Sequence, residues 1–105
     1  MIIHSDQKNF EEIRTTNKLF LLDVFATWCM PCQMLGAEFE KVTKDNSFFD
    51  VVKIDSDENF QLAAKLGVMV LPTMFVYKDG VPVEKIEGYI KANEIEEIMK
   101  KYIQE

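Results

Sequence analysis

The chain has 105 residues, 48% of them apolar and 29% charged, with a formal net charge of −6. That length fits one domain, 1–105, with a core of its own, and the composition is globular rather than disordered. The acidic balance, without a Lys/Arg cluster, argues against nucleic acid as a partner. No apolar run approaches the roughly 20 residues of a membrane span, and Met1-Ile2-Ile3-His4-Ser5-Asp6 lacks the basic start and apolar core of a secretory signal. The expectation is therefore no membrane, a cytoplasmic location and a small monomer.

In chain order, Met1 to His4 reads as an edge strand, and Ser5 as the cap of a helix whose apolar face is Phe10 and Ile13. Leu19 to Ala26 is an almost unbroken apolar run, the mark of a strand buried on both faces of a parallel sheet. A helix starts at Cys29 or Cys32, carries Leu35, Phe39 and Val42 at helical spacing, and ends near Asp45, where Asn46 and Ser47 break the pattern. Val51 to Ile54 is a further strand, and Asn59 to Leu66 a short helix closed by Gly67. Thr73 to Tyr77 and Val83 to Glu87 flank Lys78-Asp79-Gly80, a strong hairpin signal. Ile95, Ile98, Met99 and Tyr102 form the inner face of a terminal helix that Asn93 would cap. The order βαβαβ followed by αββα is an α/β fold with a mixed central sheet covered by helices on both faces.

Between the second strand and second helix lies Trp28-Cys29-Met30-Pro31-Cys32, which holds the only two cysteines. As a structural staple the pair would close too short a loop, contributing about 2 kcal/mol against roughly 4.7 for a hundred-residue loop. Structural zinc needs four ligands, and His4 is the sole histidine or cysteine left over. Two inert buried thiols fit poorly with the tight turn implied by Pro31. A C-x-x-C pair on the first helical turn instead suits thiol–disulfide exchange, because one thiol can attack a disulfide and the second can resolve the intermediate. A fall in thiol pKa from about 8.5 to about 7 raises the thiolate fraction roughly fifteenfold at pH 7, but costs nucleophilicity, so net attack improves only about threefold. The rest of the rate must come from positioning.

With this motif in place, the chain resembles the thioredoxin family along essentially its whole length. Asp23, six residues before Cys29, stands where thioredoxins carry a buried aspartate, and Lys53 matches the lysine beside it. Leu71-Pro72-Thr73 matches the segment whose cis-proline faces the cysteines, and Asp79-Gly80 and Gly88 match the family's hairpin and late glycine. The resemblance implies the thioredoxin fold, about five strands flanked by four helices, and a protein-disulfide reductase with no cofactor beyond the Cys29/Cys32 couple. Its partners would be disulfide-containing client proteins and a flavin- and NADPH-dependent thioredoxin reductase. Cys29 would be the more exposed attacking thiol and Cys32 the buried resolving thiol. Asp23 would take the Cys32 proton through a water, with its pKa raised by apolar neighbours and modulated by Lys53. Trp28, Met30, Pro31, Val70, Leu71 and Pro72 would form the client-docking surface, with Leu71 lending backbone hydrogen bonds to an extended segment.

The chain also departs from the family. Met30 replaces the usual glycine, Gln33 the usual lysine or arginine, Ala37 the mid-helix proline, Val70 a small residue and Phe25 a common tryptophan. Met30 adds no charge to stabilise a thiolate, which favours a reducing poise over the alternatives of an oxidase or isomerase on the same fold. A module that binds partners and uses the cysteines only as a switch is the rival of a different class.

Overall fold

The computed structural model describes residues 1–45 and 48–103. Its elements in order are β1 (Ile2–Ser5), α1 (Phe10–Thr16), β2 (Leu19–Phe25), α2 (Met30–Asp45), β3 (Asp50–Asp55), α3 (Phe60–Lys65), β4 (Thr73–Lys78), β5 (Val81–Glu87) and α4 (Ala92–Lys100). The strands make one mixed sheet in the order β1-β3-β2-β4-β5. β3 runs parallel to β1 and β2, whereas β4 is antiparallel to both β2 and β5. The expected α/β class and thioredoxin fold are borne out.

The central position of β2 explains its apolar run, since every residue from Phe20 to Val24 is buried. Alternate side chains serve opposite faces. Leu21 packs with Leu35, Phe39 and Val42 of α2 and with Ile95 and Met99 of α4. Phe20, Leu22 and Val24 pack with Phe10 of α1 and Ala63 of α3. The Phe20 and Tyr77 rings stack at 4.9 Å, and Phe10 meets both edge-on. Asp23, the one charged residue in the strand, shares the α2 side with Leu21.

The hairpin between β4 and β5 has two central residues, Asp79 and Gly80, at φ +51° and +85°. Positive φ at both positions is the primed turn that matches strand twist, and it accounts for the Asp-Gly pair. Arg14 donates from Nη1 to the Gly80 carbonyl at 2.7 Å, tying the turn to α1.

Two capping expectations are corrected. Ser5 does not cap α1; its hydroxyl donates to Asn9 Oδ1 at 2.6 Å. Asp6 Oδ1 accepts the N–H groups of Lys8 and Asn9, making a local turn that delays the helix to Phe10. Asn93 lies inside α4, and Lys91 occupies the cap position without a side-chain cap bond. The break expected at Asn46 and Ser47 lies outside the described residues.

Candidate functional site

β2 ends at Phe25, and α2 starts at Met30, between the two helix starts expected. The connecting loop is held by the Cys29 N–H donating to the Ala26 carbonyl at 3.2 Å. Gln33 Nε2 donates to the Thr27 carbonyl at 2.9 Å, so this residue braces the loop from the first helical turn. Cys29 and Cys32 are joined as a disulfide, with Cα atoms 5.2 Å apart. The Cys32 N–H points at Cys29 Sγ at 3.3 Å. An unpaired N–H of a helix start aimed at a sulfur stabilises negative charge there once the bond is reduced.

The expected contrast in thiol exposure is small. Cys29 is 5% exposed and Cys32 3%, both packed with Ala26 and against Phe25 and Leu71. The exposure of the motif falls instead on Trp28 (70%) and Met30 (65%), with Pro31 also exposed. Trp28 is oriented by its indole N–H, which donates to Asp57 Oδ2 at 2.8 Å.

Asp23 is fully buried, and neither carboxylate oxygen has a hydrogen-bond partner among the described residues. β3 places Lys53 directly beside it in register, with Nζ 3.8 Å from Oδ2, an ion pair too long to be a hydrogen bond. Burial pushes the Asp23 carboxyl up from an ordinary 3.8 to about 7, against the lowering effect of the Lys53 ammonium. That ammonium also lies 4.7 Å from the Phe25 ring centre and 5.7 Å from that of Phe39. Aromatic faces therefore hold the lysine where its stem is desolvated. From solvent, Lys53 is reached by a groove of about 400 Å³ that Phe25, Asp55 and His4 also line.

The third part comes from the segment before β4. The Leu71–Pro72 peptide is cis, and Leu71 rests on the cysteine cluster. Thr73 Oγ1 donates to the Val70 carbonyl at 2.6 Å, and the Gly88 N–H donates to the Pro72 carbonyl at 2.9 Å. Pro72 is buried, while Val70 is 46% and Met69 86% exposed. The sequence-selected residues thus fall into three groups: the cysteine loop and the Pro72 segment, which meet at Leu71, and the Asp23–Lys53 pair, which meets the start of the loop at Phe25. Sequence reasoning missed Asp57, the brace made by Gln33, and Glu38 of α2. Asp57 carried no local signal, but Glu38 did: it interrupts the apolar face of Leu35, Phe39 and Val42. Among the described residues, no group of three or more His, Cys, Asp or Glu could hold a metal ion, and no helix is long and apolar enough to cross a membrane.

The Thioredoxin family model matches residues 1–101. Thioredoxin of Staphylococcus haemolyticus is 37% identical over 103 residues, covering 97% of this chain and 98% of the relative. Thioredoxin of Listeria monocytogenes is 36% identical over 104 residues, covering 98% and 100%. Among solved structures, a mutant thioredoxin from Halobacterium salinarum superposes with a TM-score of 0.91 at 30% identity, covering 99% of this chain and 92% of that one. A Plasmodium falciparum thioredoxin gives 0.85 at 30% identity, covering 96% and 97%. With likeness in sequence and backbone running the length of the molecule and the paired cysteines at the head of α2, the chain belongs to the thioredoxin family of protein-disulfide oxidoreductases, whose active group is the redox disulfide, here Cys29–Cys32.

Proposed function

We propose that residues 1–105 act as one cytoplasmic thioredoxin domain that reduces disulfides in client proteins. In the reduced state the Cys29 thiolate attacks one sulfur of the client disulfide. A Cys29–client mixed disulfide forms, and the other client sulfur leaves as a thiolate that takes a proton from water. Cys32 then loses its proton to Asp23 and attacks Cys29 Sγ. The Cys29–Cys32 disulfide closes, the second client thiol is released, and two electrons have passed to the client. A flavin- and NADPH-dependent thioredoxin reductase restores the dithiol.

The observation that carries this reading is the buried Asp23, without a hydrogen-bond partner among the described residues, on the strand that leads into the cysteine loop. A carboxyl titrating at about 7 can both accept and return a proton near neutrality, as a resolving step needs. Lys53 sets how readily it does so. Trp28, Met30, Pro31, Val70, Leu71 and Pro72 form the docking surface, whose exposed parts are apolar and soft. An uncharged Met30 supports a reducing poise.

An equilibrium titration of Cys29/Cys32 against dithiol buffers, read by trapping free thiols, tests the direction of electron flow. A potential near the family's own value, about −270 mV, is expected. A potential well above about −200 mV would make the protein an oxidase or isomerase. Unimpaired function with both cysteines replaced by serine would make it a binding module.

A further inference from the structure

Glu38 has no part in the exchange chemistry, yet it is a carboxylate on the buried face of α2, with its side chain only 11% exposed. A buried carboxylate persists only where hydrogen bonds and charge replace its water. Here Oε1 accepts the Ala92 N–H at 2.9 Å, and Oε2 accepts the Tyr89 hydroxyl at 3.1 Å. Lys41, one turn on in α2, adds an ammonium 3.4 Å from Oε2.

These contacts resolve the capping problem of α4. Lys91, at the cap position, ends in an ammonium with no lone pair to offer a backbone N–H. The Glu94 carboxylate reaches back only to the Lys91 N–H, at 3.1 Å. The first N–H of the helix proper, that of Ala92, is satisfied from another element by Glu38. A negative charge at this end also suits the helix dipole, and the Ala92 bond is the leading cause that holds the Glu38 carboxyl below its ordinary range.

The stretch so anchored, residues 89–92, follows directly on Gly88, whose N–H donates to the Pro72 carbonyl at 2.9 Å. A path of direct bonds therefore runs from the cysteine helix through Glu38, Tyr89 and Ala92 to Gly88 and on to the cis-proline. We propose that Glu38 is a positioning residue: by clamping residues 89–92 onto α2 it fixes the distance between the cysteine loop and the Pro72 segment, the two walls between which a client chain sits. This role rests on the reductase reading above and adds to it the residue that sets the width of the docking site.

Steady-state reduction of a folded protein disulfide by wild type, Glu38→Leu, Glu38→Gln and Tyr89→Phe tests the role, each variant first shown to be folded by circular dichroism. Glu38→Leu is expected to raise KM about three- to tenfold, with a smaller fall in kcat and no change in the Cys29/Cys32 potential. Glu38→Gln can still accept from Ala92 and donate to the Tyr89 oxygen, so it should recover most of the lost KM. A loss of stability alone would not produce that split in a folded variant. Unchanged KM in folded Glu38→Leu, or a glutamine variant no better than leucine, would overturn the proposal. Should the leucine variant not fold, Tyr89→Phe decides: a KM rise of about two- to threefold supports the clamp, and none refutes it. A wild-type chain that reduces no protein disulfide at all would remove the reductase reading, and the clamp's role with it.

Discussion

Replacing Asp23 with asparagine should stabilise the fold increasingly as pH rises. The carboxyl titrates near 3.8 when unfolded and at about 7 when folded. Between those values the folded state keeps a proton that the unfolded state has lost. Wild-type stability therefore falls as pH rises through this window and levels off above about 7. At about 1.4 kcal/mol per pH unit, the penalty works out to about 2 kcal/mol at pH 5 and about 4 kcal/mol at pH 8. Asparagine escapes it at every pH. Its own buried amide adds an offset, but that offset does not titrate, and all other ionisable groups cancel between the two proteins. The stability advantage of Asp23→Asn should thus widen by about 2–3 kcal/mol from pH 5 to pH 8. Urea unfolding of both oxidised proteins at pH 5, 6, 7 and 8 measures it. A difference that stays flat with pH would show that Asp23 does not hold its proton in the folded state, and the acid–base part of the mechanism would go with it. The same variant should release mixed disulfides more slowly at pH 7, which quenched-flow trapping would detect.

Lys53→Met removes the cation 3.8 Å from Asp23, so the carboxyl should titrate above about 7 and the acid limb of the resolution rate should move to higher pH. A pH–rate profile that stays in place would uncouple the pair. Met30→His puts an ionisable ring between the cysteines and should raise the potential by on the order of 30 mV for each unit by which it lowers the pKa of the Cys29 thiol, read by the same redox titration. Cys32→Ser should accumulate a Cys29–client mixed disulfide visible by mass spectrometry, and rapid turnover by that variant would remove Cys32 as the resolving thiol. Gly80→Ala forces a Cβ onto a residue at φ +85°, 3.5 Å from the Arg14 backbone oxygen, and should cost about 1–2 kcal/mol in urea unfolding.

The readable parts of the fold were those set by local pattern. The apolar run of β2, the helical spacing of Leu35, Phe39 and Val42, and the Asp-Gly turn each report a period or a backbone angle, and each lies where expected. What failed were end points settled by other partners. Neither Ser5 nor Asn93 is a poor cap in isolation. Asp6 outcompeted the first through a local turn, and the second lost to a carboxylate 54 residues away in the chain from the Ala92 N–H it caps. At the site, the cysteines and Asp23 stood out because a thiol pair and a charge in an apolar strand are chemically conspicuous. Asp57 did not, because one exposed aspartate among many gives no sign that it meets an indole 29 positions earlier. The near-equal burial of the two cysteines was equally out of reach, since Leu71, some forty residues further along the chain, packs against their cluster.

The sheet is open, so its two outer strands present backbone to water, and any second copy could extend the ladder there. β1 offers only four residues. β5 is longer, but Pro82 lacks an N–H, Glu84, Lys85 and Glu87 line it with charge, and a register shift opposite Val76 and Tyr77 bends its pairing. Growth of the sheet by self-addition is thereby discouraged at both margins. The protein should stay dispersed at high concentration, and light scattering should rise first in variants that straighten β5, such as Pro82→Val, rather than in those that loosen the core.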